Sequence, residues 1–234
     1  LWNQKNLGAA WKIPASGKYC HANLNETGIR IMKLLNSVGP NPHVVRMFAA
    51  EKNLTLPLEE IDLMGGANRQ DEYLAKNPGG QLPCLQADDG TYIAEITAIC
   101  EYLDEVGGGE SLIGNTAEEK AVTRMWTRRV DLNICEPLAN GFRYSEGLPI
   151  FKDRIITIPE AAQGLKEIAK SRIAWLDGLM TQGEFISGSK ICLADILLYC
   201  FLKFGQSVGQ PYDTQLATIH TWFESMDARA SAKA

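Results

Sequence analysis

Apolar and polar positions alternate in two different ways along this chain, and the change falls near residue 107. Residues 29–36 (IRIMKLLN) form an apolar run short enough for a buried strand. Gly39-Pro40-Asn41-Pro42 then reads as a turn leading into a helix, with Asn41 as N-cap and Pro42 at the first helical position. Val44, Val45, Met47 and Phe48 recur at helical spacing, and the helix is expected to stop near Lys52-Asn53. Residues 55–63 (TLPLEEIDL) predict a second strand, which Pro57 places at a sheet edge. A short helix over 69–76 ends at Asn77-Pro78-Gly79-Gly80. Strands over 81–86 and 91–94 flank the hairpin signal Asp88-Asp89-Gly90, and a helix over 96–106 puts Ile99, Tyr102 and Leu103 on one face. The order is βαβ, a helix, then ββα.

Gly107-Gly108-Gly109 interrupts this pattern, and nothing beyond it reads as a strand. Helices are expected over 117–140, 159–181, 192–208 and 214–228. Two architectures on either side of a glycine run predict two domains, 30–106 and 117–234, joined by a linker over 107–116. Residues 1–29 lack a sustained apolar period and read as a poorly ordered N-terminal extension. It is either the remnant of a targeting segment or upstream sequence before a start at Met32.

Composition narrows the classes. A formal net charge of −5, with Lys and Arg scattered, argues against a nucleic-acid backbone as the main partner. The longest apolar stretch, residues 191–204, contains Asp195 and Lys203 and is too short to span a membrane. Cys20, Cys84, Cys100, Cys135, Cys192 and Cys200 are far apart with no CxxC, so buried free thiols are expected rather than disulfides or zinc. His21, His43 and His220 show no ligand spacing, and no metal is expected; His43 reads as an exposed first-turn residue. A cytoplasmic location follows as the expectation.

Three segments carry a resemblance. Residues 77–85 (NPGGQLPCL), 94–103 (AEITAICEYL) and 185–196 (FISGSKICLADI) look like the soluble glutathione transferase family, over about residues 32–230. The run NSVGPNP resembles bacterial-type members of no well-defined class. The resemblance implies a thioredoxin-like N-terminal domain followed by an all-helical C-terminal domain, α/β plus all-α. It further implies glutathione as co-substrate, a small hydrophobic electrophile as second substrate, and a homodimer.

The same resemblance implies a set of glutathione contacts. Leu82-Pro83 falls where the family has a cis-proline, whose preceding residue offers its backbone to the cysteinyl part of the tripeptide. Glu95 falls at the acid that receives the γ-glutamyl ammonium. Ile96 offers its N–H to the γ-glutamyl carboxylate at a helix N-terminus, and Thr97 offers a hydroxyl where the family usually has one a residue earlier. Gln81 corresponds to a side chain that contacts the glycyl end. The alternative for these positions is ordinary turn, cap and loop chemistry.

The thiol-activating group is where the chain departs from the family. A free thiol has a pKa of about 8.5, and lowering it by about two units requires roughly 2.7 kcal/mol of preferential anion stabilisation. The family supplies it from a Tyr, Ser or Cys after the first strand. Here residue 35 is Leu, and Ser-Pro-Asn is replaced by Gly39-Pro40-Asn41. Asn41 is the first candidate and Ser37 the second, each with a structural alternative.

Met125, Trp126, Arg129, Asn133, Phe142 and Tyr144 are candidates for an apolar second-substrate pocket, with packing in the helical bundle as the alternative. Asp195 resembles a buried aspartate that holds backbone near the start of a core helix, preceded by Cys192, a weak cap. The expected activity is conjugation of the glutathione thiolate. A glutathione-dependent isomerase, lyase or dehalogenase on the same scaffold, or a non-catalytic adaptor, are the alternatives.

Overall fold

A computed structural model describes residues 32–180 and 183–234. The expectations for residues 1–29, for the first residues of the first strand, for Cys20, His21 and for Thr181 lie outside the described residues.

The four-stranded sheet has the order β2-β1-β3-β4. Strand β1 (Lys33–Asn36) continues through helix α1 (Pro40–Glu51) to the parallel edge strand β2 (Leu58–Glu60), with Leu34 opposite Leu58. A short helix α2 (Asp71–Leu74) precedes the antiparallel pair β3 (Cys84–Gln86) and β4 (Tyr92–Ala94), and β3 pairs with β1. Helix α3 (Ile96–Gly107) closes this thioredoxin-like half. Successive side chains of β1 point to opposite faces. Leu34 is buried in the cluster that holds Val44, Phe48, Ile99 and Leu103, whereas Leu35 is buried with Tyr73, Leu82 and Cys84. Polar groups stitch the same elements: Asn36 Nδ2 donates to Glu60 (2.6 Å), and Arg46 donates to Asn36 Oδ1 (2.7 Å).

Three details of this half differ from the sequence reading. The strands are shorter than expected: β2 begins after Pro57 and β3 after Pro83, since neither proline has an N–H for a ladder. Asn41 is not the N-cap of α1. The helix starts at Pro40 on Gly39, whose φ of 113° suits glycine, and no side chain caps it. His43 is half-buried, not exposed, with Nε2 3.2 Å from the Ala232 carbonyl and its ring edge-on to Tyr199; burial lowers its pKa.

The second half is helical. Helix α4 (Ala117–Val130) opens with a capping box in which Thr116 and Glu119 exchange hydrogen bonds. The single helix expected over 117–140 is instead split. A π-helical turn, Asp131–Cys135, separates α4 from α5 (Glu136–Arg143). Pro137 accounts for the break, because it cannot donate to the carbonyl four residues back and its ring crowds that turn. After α6 (Leu148–Phe151) come α7 (Ala162–Leu179), the buried α8 (Leu193–Ser207) and α9 (Ala217–Asp227). Asp195 is fully buried and accepts from the Ile186 and Cys192 N–H groups (2.9 and 3.0 Å) and from Trp222 Nε1 (3.0 Å), which fits its expected role as a backbone holder. The five described cysteines are buried free thiols.

The halves meet along α1 and α8 in one continuous apolar cluster. The C-terminal tail runs back onto α1, where Arg229 makes a two-point contact with Glu51 (2.6 and 2.8 Å). Arg124 of α4 similarly pairs with Glu101 of α3. Among the described residues, no helix is long and apolar enough to cross a membrane.

Candidate active site

The segment before β3 is fastened from the inside. Asn68 donates to the Gly80 carbonyl (2.7 Å), while Tyr73 Oη and Asn77 Nδ2 both donate to the Gln81 carbonyl (2.6 and 2.8 Å). Gln81 is exposed, whereas Leu82 is buried and lines the cleft described below. The Leu82–Pro83 peptide bond is cis. The Leu82 N–H and C=O engage no other described residue, so both are available to a ligand lying alongside like an added strand.

At the end of β4, Glu95 occupies φ 69°, ψ 119° and precedes α3. A non-glycine residue at positive φ is uncommon and is held only when its surroundings over-determine it. The Glu95 side chain makes no capping bond, so its carboxylate is exposed and the first N–H groups of α3 are left without partners. Helix α1 presents a second unsatisfied N-terminus. Pro40 and Pro42 lack donors, which concentrates the helix's free N–H groups in Gly39 and Asn41.

These features converge on a polar cavity of about 310 Å³ lined by Asn41, Gln81, Leu82, Pro83, Glu95, Ile96 and Thr97, and, from the helical half, Asp131, Glu136 and Arg143. Seven of the eight residues expected to contact glutathione or activate its thiol thus line one cavity. Ser37 is the exception: it is buried, lines neither this cavity nor its neighbour, and its carbonyl faces Arg46 at 3.5 Å. Burial, with repulsion from Glu136 added, raises the pKa of the Asp131 carboxyl.

A second cavity of about 330 Å³ adjoins the first and shares Asn41, Gln81, Leu82 and Arg143 with it. Its other walls are mainly apolar, with Leu63 and Met64 from the sheet half, and Phe142, Ile150, Phe151, Phe201 and Phe204 beside Ser207 from the helical half. Phe142 stands edge-on to Phe204 (5.1 Å between centroids) and Phe151 (6.2 Å), an arrangement that aromatic quadrupoles favour. Of the pocket candidates named from sequence, only Phe142 lines this cavity. Met125 is on the outer surface, Trp126 lies near Trp175 and under the Arg129 guanidinium, Asn133 donates to the Arg129 carbonyl, and Tyr144 lines neither cavity.

Asp131, Glu136 and Arg143 had no reading from the sequence. The π turn carries Asp131, and α5 after it carries Glu136 and Arg143; π turns are frequent at functional sites. Pro137 inside an otherwise helical run was the available signal. Arg143 donates to Asn140 Oδ1 (2.9 Å) and lies 4.0 Å from Glu136, which commits little of its five-donor fork. Cys84, just after the cis-proline, is buried in the strand, and desolvation pushes its thiol up to about 11, opposite to the shift a redox nucleophile needs.

A sheet with this strand order, a cis-proline facing an acidic helix start, and a helical half covering the cleft define a glutathione-transferase-type protein. Comparison with known proteins agrees, and the chain belongs to the glutathione S-transferase family. Residues 38–106 match the family model "Glutathione S-transferase, N-terminal domain". The chain is 31% identical over 199 residues to glutathione S-transferase 2 of Saccharomyces cerevisiae, covering 83% of this chain and 84% of that protein. The crystal structure of Gtt2 from the same yeast superposes with a TM-score of 0.80 at 31% identity, over 86% of this chain and 98% of that one. A glutathione S-transferase domain-containing protein from Marinobacter aquaeolei VT8 gives 0.81 at 34% identity, over 86% and 99%. The chain is also 29% identical over 161 residues to human elongation factor 1-gamma. There it covers 68% of this chain but spans only 35% of that protein.

Proposed function

We propose that the polar cavity binds glutathione and that its thiolate attacks a small hydrophobic electrophile seated in the apolar cavity. The observation that carries this reading is that the two cavities meet at Asn41, Gln81, Leu82 and Arg143, beside the free N–H groups of α1. Glu95 takes the γ-glutamyl ammonium, and the N–H of Ile96 with the Thr97 hydroxyl takes the adjacent carboxylate. The cysteinyl unit runs along the Leu82 backbone ahead of Pro83, and Gln81 reaches the glycyl end. The sulfur then points to the junction, where the α1 N-terminus, the Asn41 amide and the Arg143 cation favour the anion. With an aromatic halide, the C–S bond forms as the carbon–halogen bond breaks. The halide leaves with the bonding pair, and the thiol proton has already passed to solvent. Isomerase, lyase or dehalogenase chemistry uses the same site with a different electrophile. A homodimer in the cytoplasm is part of this proposal.

The similarity to elongation factor 1-gamma and the absence of a Tyr, Ser or Cys donor support a second reading, a non-catalytic adaptor. Calorimetric titration with glutathione, for the wild type and Glu95→Ala, is the first test: saturable heat from the wild type and a large loss in the variant are expected. No heat from the wild type sinks both the binding site and the transferase. Binding without turnover across a panel of electrophiles favours the adaptor.

A further inference from the structure

One polar contact joins the two halves beside the apolar cavity. Arg154, three residues after Phe151, reaches back to the sheet half and donates Nη1 to the Leu63 carbonyl (2.6 Å) and Nη2 to the Met64 carbonyl (2.7 Å). Leu63 and Met64 form one wall of that cavity, and Ile150 and Phe151 form part of the wall on the helical side. No carboxylate pairs with Arg154 among the described residues, so these two carbonyls are its polar partners. A planar guanidinium binding two consecutive carbonyls fixes both position and orientation of the segment it holds.

The other ties of the held segment are local to the sheet half: Leu63 packs against the cluster of Leu35, Tyr73, Leu82 and Cys84, its carbonyl also accepts from the Gly66 N–H (3.2 Å), and the Asp62 carbonyl accepts from the Ala67 N–H (2.9 Å). Met64 is largely exposed although it lines the cavity, and the turn behind it is a surface feature closed by Asp62 accepting from the Gly65 N–H (2.7 Å), with Gly66 at φ 81°. The bonds that Glu51, His43 and Glu101 make to the helical half sit on α1 and α3, and none of those residues lines the cavity.

We infer that Arg154 is a positioning residue that latches the 63–64 segment across the cleft and thereby sets the size of ligand the apolar cavity accepts. The inference rests on the proposed use of that cavity for the second substrate. With the latch closed, a one-ring ligand is enclosed and a larger polycyclic one is shut out. Cutting the latch lets the segment swing away, which weakens the hold on the small ligand and admits the large one. If the closed arrangement falls to about a tenth of the population, apparent affinity for the small ligand falls about tenfold.

The test compares wild type, Arg154→Ala and Arg154→Lys. Lysine reaches one carbonyl but not both, and it stands in should the alanine variant not fold. Backbone hydrogen exchange is followed at residues 63–67, with glutathione binding measured in parallel because Arg154 lines no part of the polar cavity. Turnover is measured with a one-ring aromatic halide, and binding with a pyrene-sized fluorescent ligand. Expected for Arg154→Ala are faster exchange at 63–67, a KM for the one-ring halide about tenfold higher at near-constant kcat, and new binding of the pyrene probe. Arg154→Lys falls between, and glutathione affinity stays at the wild-type value. Unchanged exchange and unchanged size preference, with glutathione binding intact, overturn the latch and leave the proposed function standing. If the wild type binds no glutathione, that function fails instead. The latch is then judged by exchange and by the pyrene probe against a one-ring fluorescent analogue.

Discussion

Lys52 Nζ lies 3.0 Å from the Asp104 carboxylate, and the two side chains are only 2% and 7% exposed. The ammonium also donates to the Glu110 carbonyl (2.8 Å), and Asp104 accepts from the Ser111 hydroxyl and the Leu112 N–H. One buried pair therefore ties the C-terminal end of α1 to α3 and to the segment leading into the helical half. Removing one member leaves the other charge buried and unpaired, which costs about 3–5 kcal/mol. Lys52→Met is expected to lower unfolding free energy by that amount in urea titrations. A loss below about 1 kcal/mol would show that water reaches the pair, as it does for exposed ion pairs.

Glu95 is predicted to trade stability against binding. Its positive φ costs about 1 kcal/mol or more in a residue with a Cβ, and glycine relieves that strain. Glu95→Gly is expected to raise the unfolding midpoint while losing most affinity for glutathione, and Glu95→Gln to keep the strain and lose part of the affinity. A glycine variant that binds as tightly as the wild type would remove Glu95 from the site.

Much of this arrangement was legible from local chemistry. Pro83 within NPGGQLP, Glu95 ahead of an apolar helix, and the glycines at 107–109 each signal a backbone event by their own residue types. What was not legible depended on chain segments meeting across the fold. Arg143 and Asp131 line one cavity with Leu82 where a π turn separates α4 from α5, and Pro137, just after that turn, reads from sequence simply as part of a long helix. Asn41 looked like a cap because the choice among Gly39, Pro40 and Asn41 as the helix boundary turns on the φ of residue 39. His43 looked exposed because its cover is the chain's last turn, nearly two hundred residues away.

That last turn gives a pH prediction. Burial by itself would raise the Glu51 carboxyl, but hydrogen bonds from Arg229 and Ser231 more than offset it, and its pKa ends below the ordinary 4.5. A carboxyl depressed in the folded state binds fewer protons folded than unfolded. Its stabilisation is therefore full above the unfolded value and is lost as pH falls through the folded one. The stability difference between wild type and Arg229→Ala is expected to be largest near neutrality and to shrink in acid below about pH 4.5. Urea midpoints at a series of pH values measure it. A difference that does not change with pH would assign the role of Arg229 to packing alone.

The thiol-activating group can be assigned by its electrostatic signature. Asn41 supplies a dipole at a helix N-terminus, whereas Arg143 supplies a full charge from the other half of the molecule, and both line the junction of the two cavities. At comparable distance a full charge is a stronger influence than a dipole. Arg143→Ala is expected to raise the pKa of bound glutathione by about one or more, equivalent to about 1.4 kcal/mol. Arg143→Lys should recover part of that change. Asn41→Ala keeps its backbone N–H and should move the pKa less, while Asn41→Asp sets a like charge beside the thiolate and should move it more. The readout is thiolate absorbance of the bound tripeptide against pH, with kcat/KM followed in parallel. Below the wild-type thiol pKa, a rise of about one in that pKa should make Arg143→Ala about tenfold slower, and the two profiles should converge once both thiols are ionised. A variant slowed equally at every pH would mean that Arg143 positions the electrophile and leaves the ionisation of the sulfur to α1.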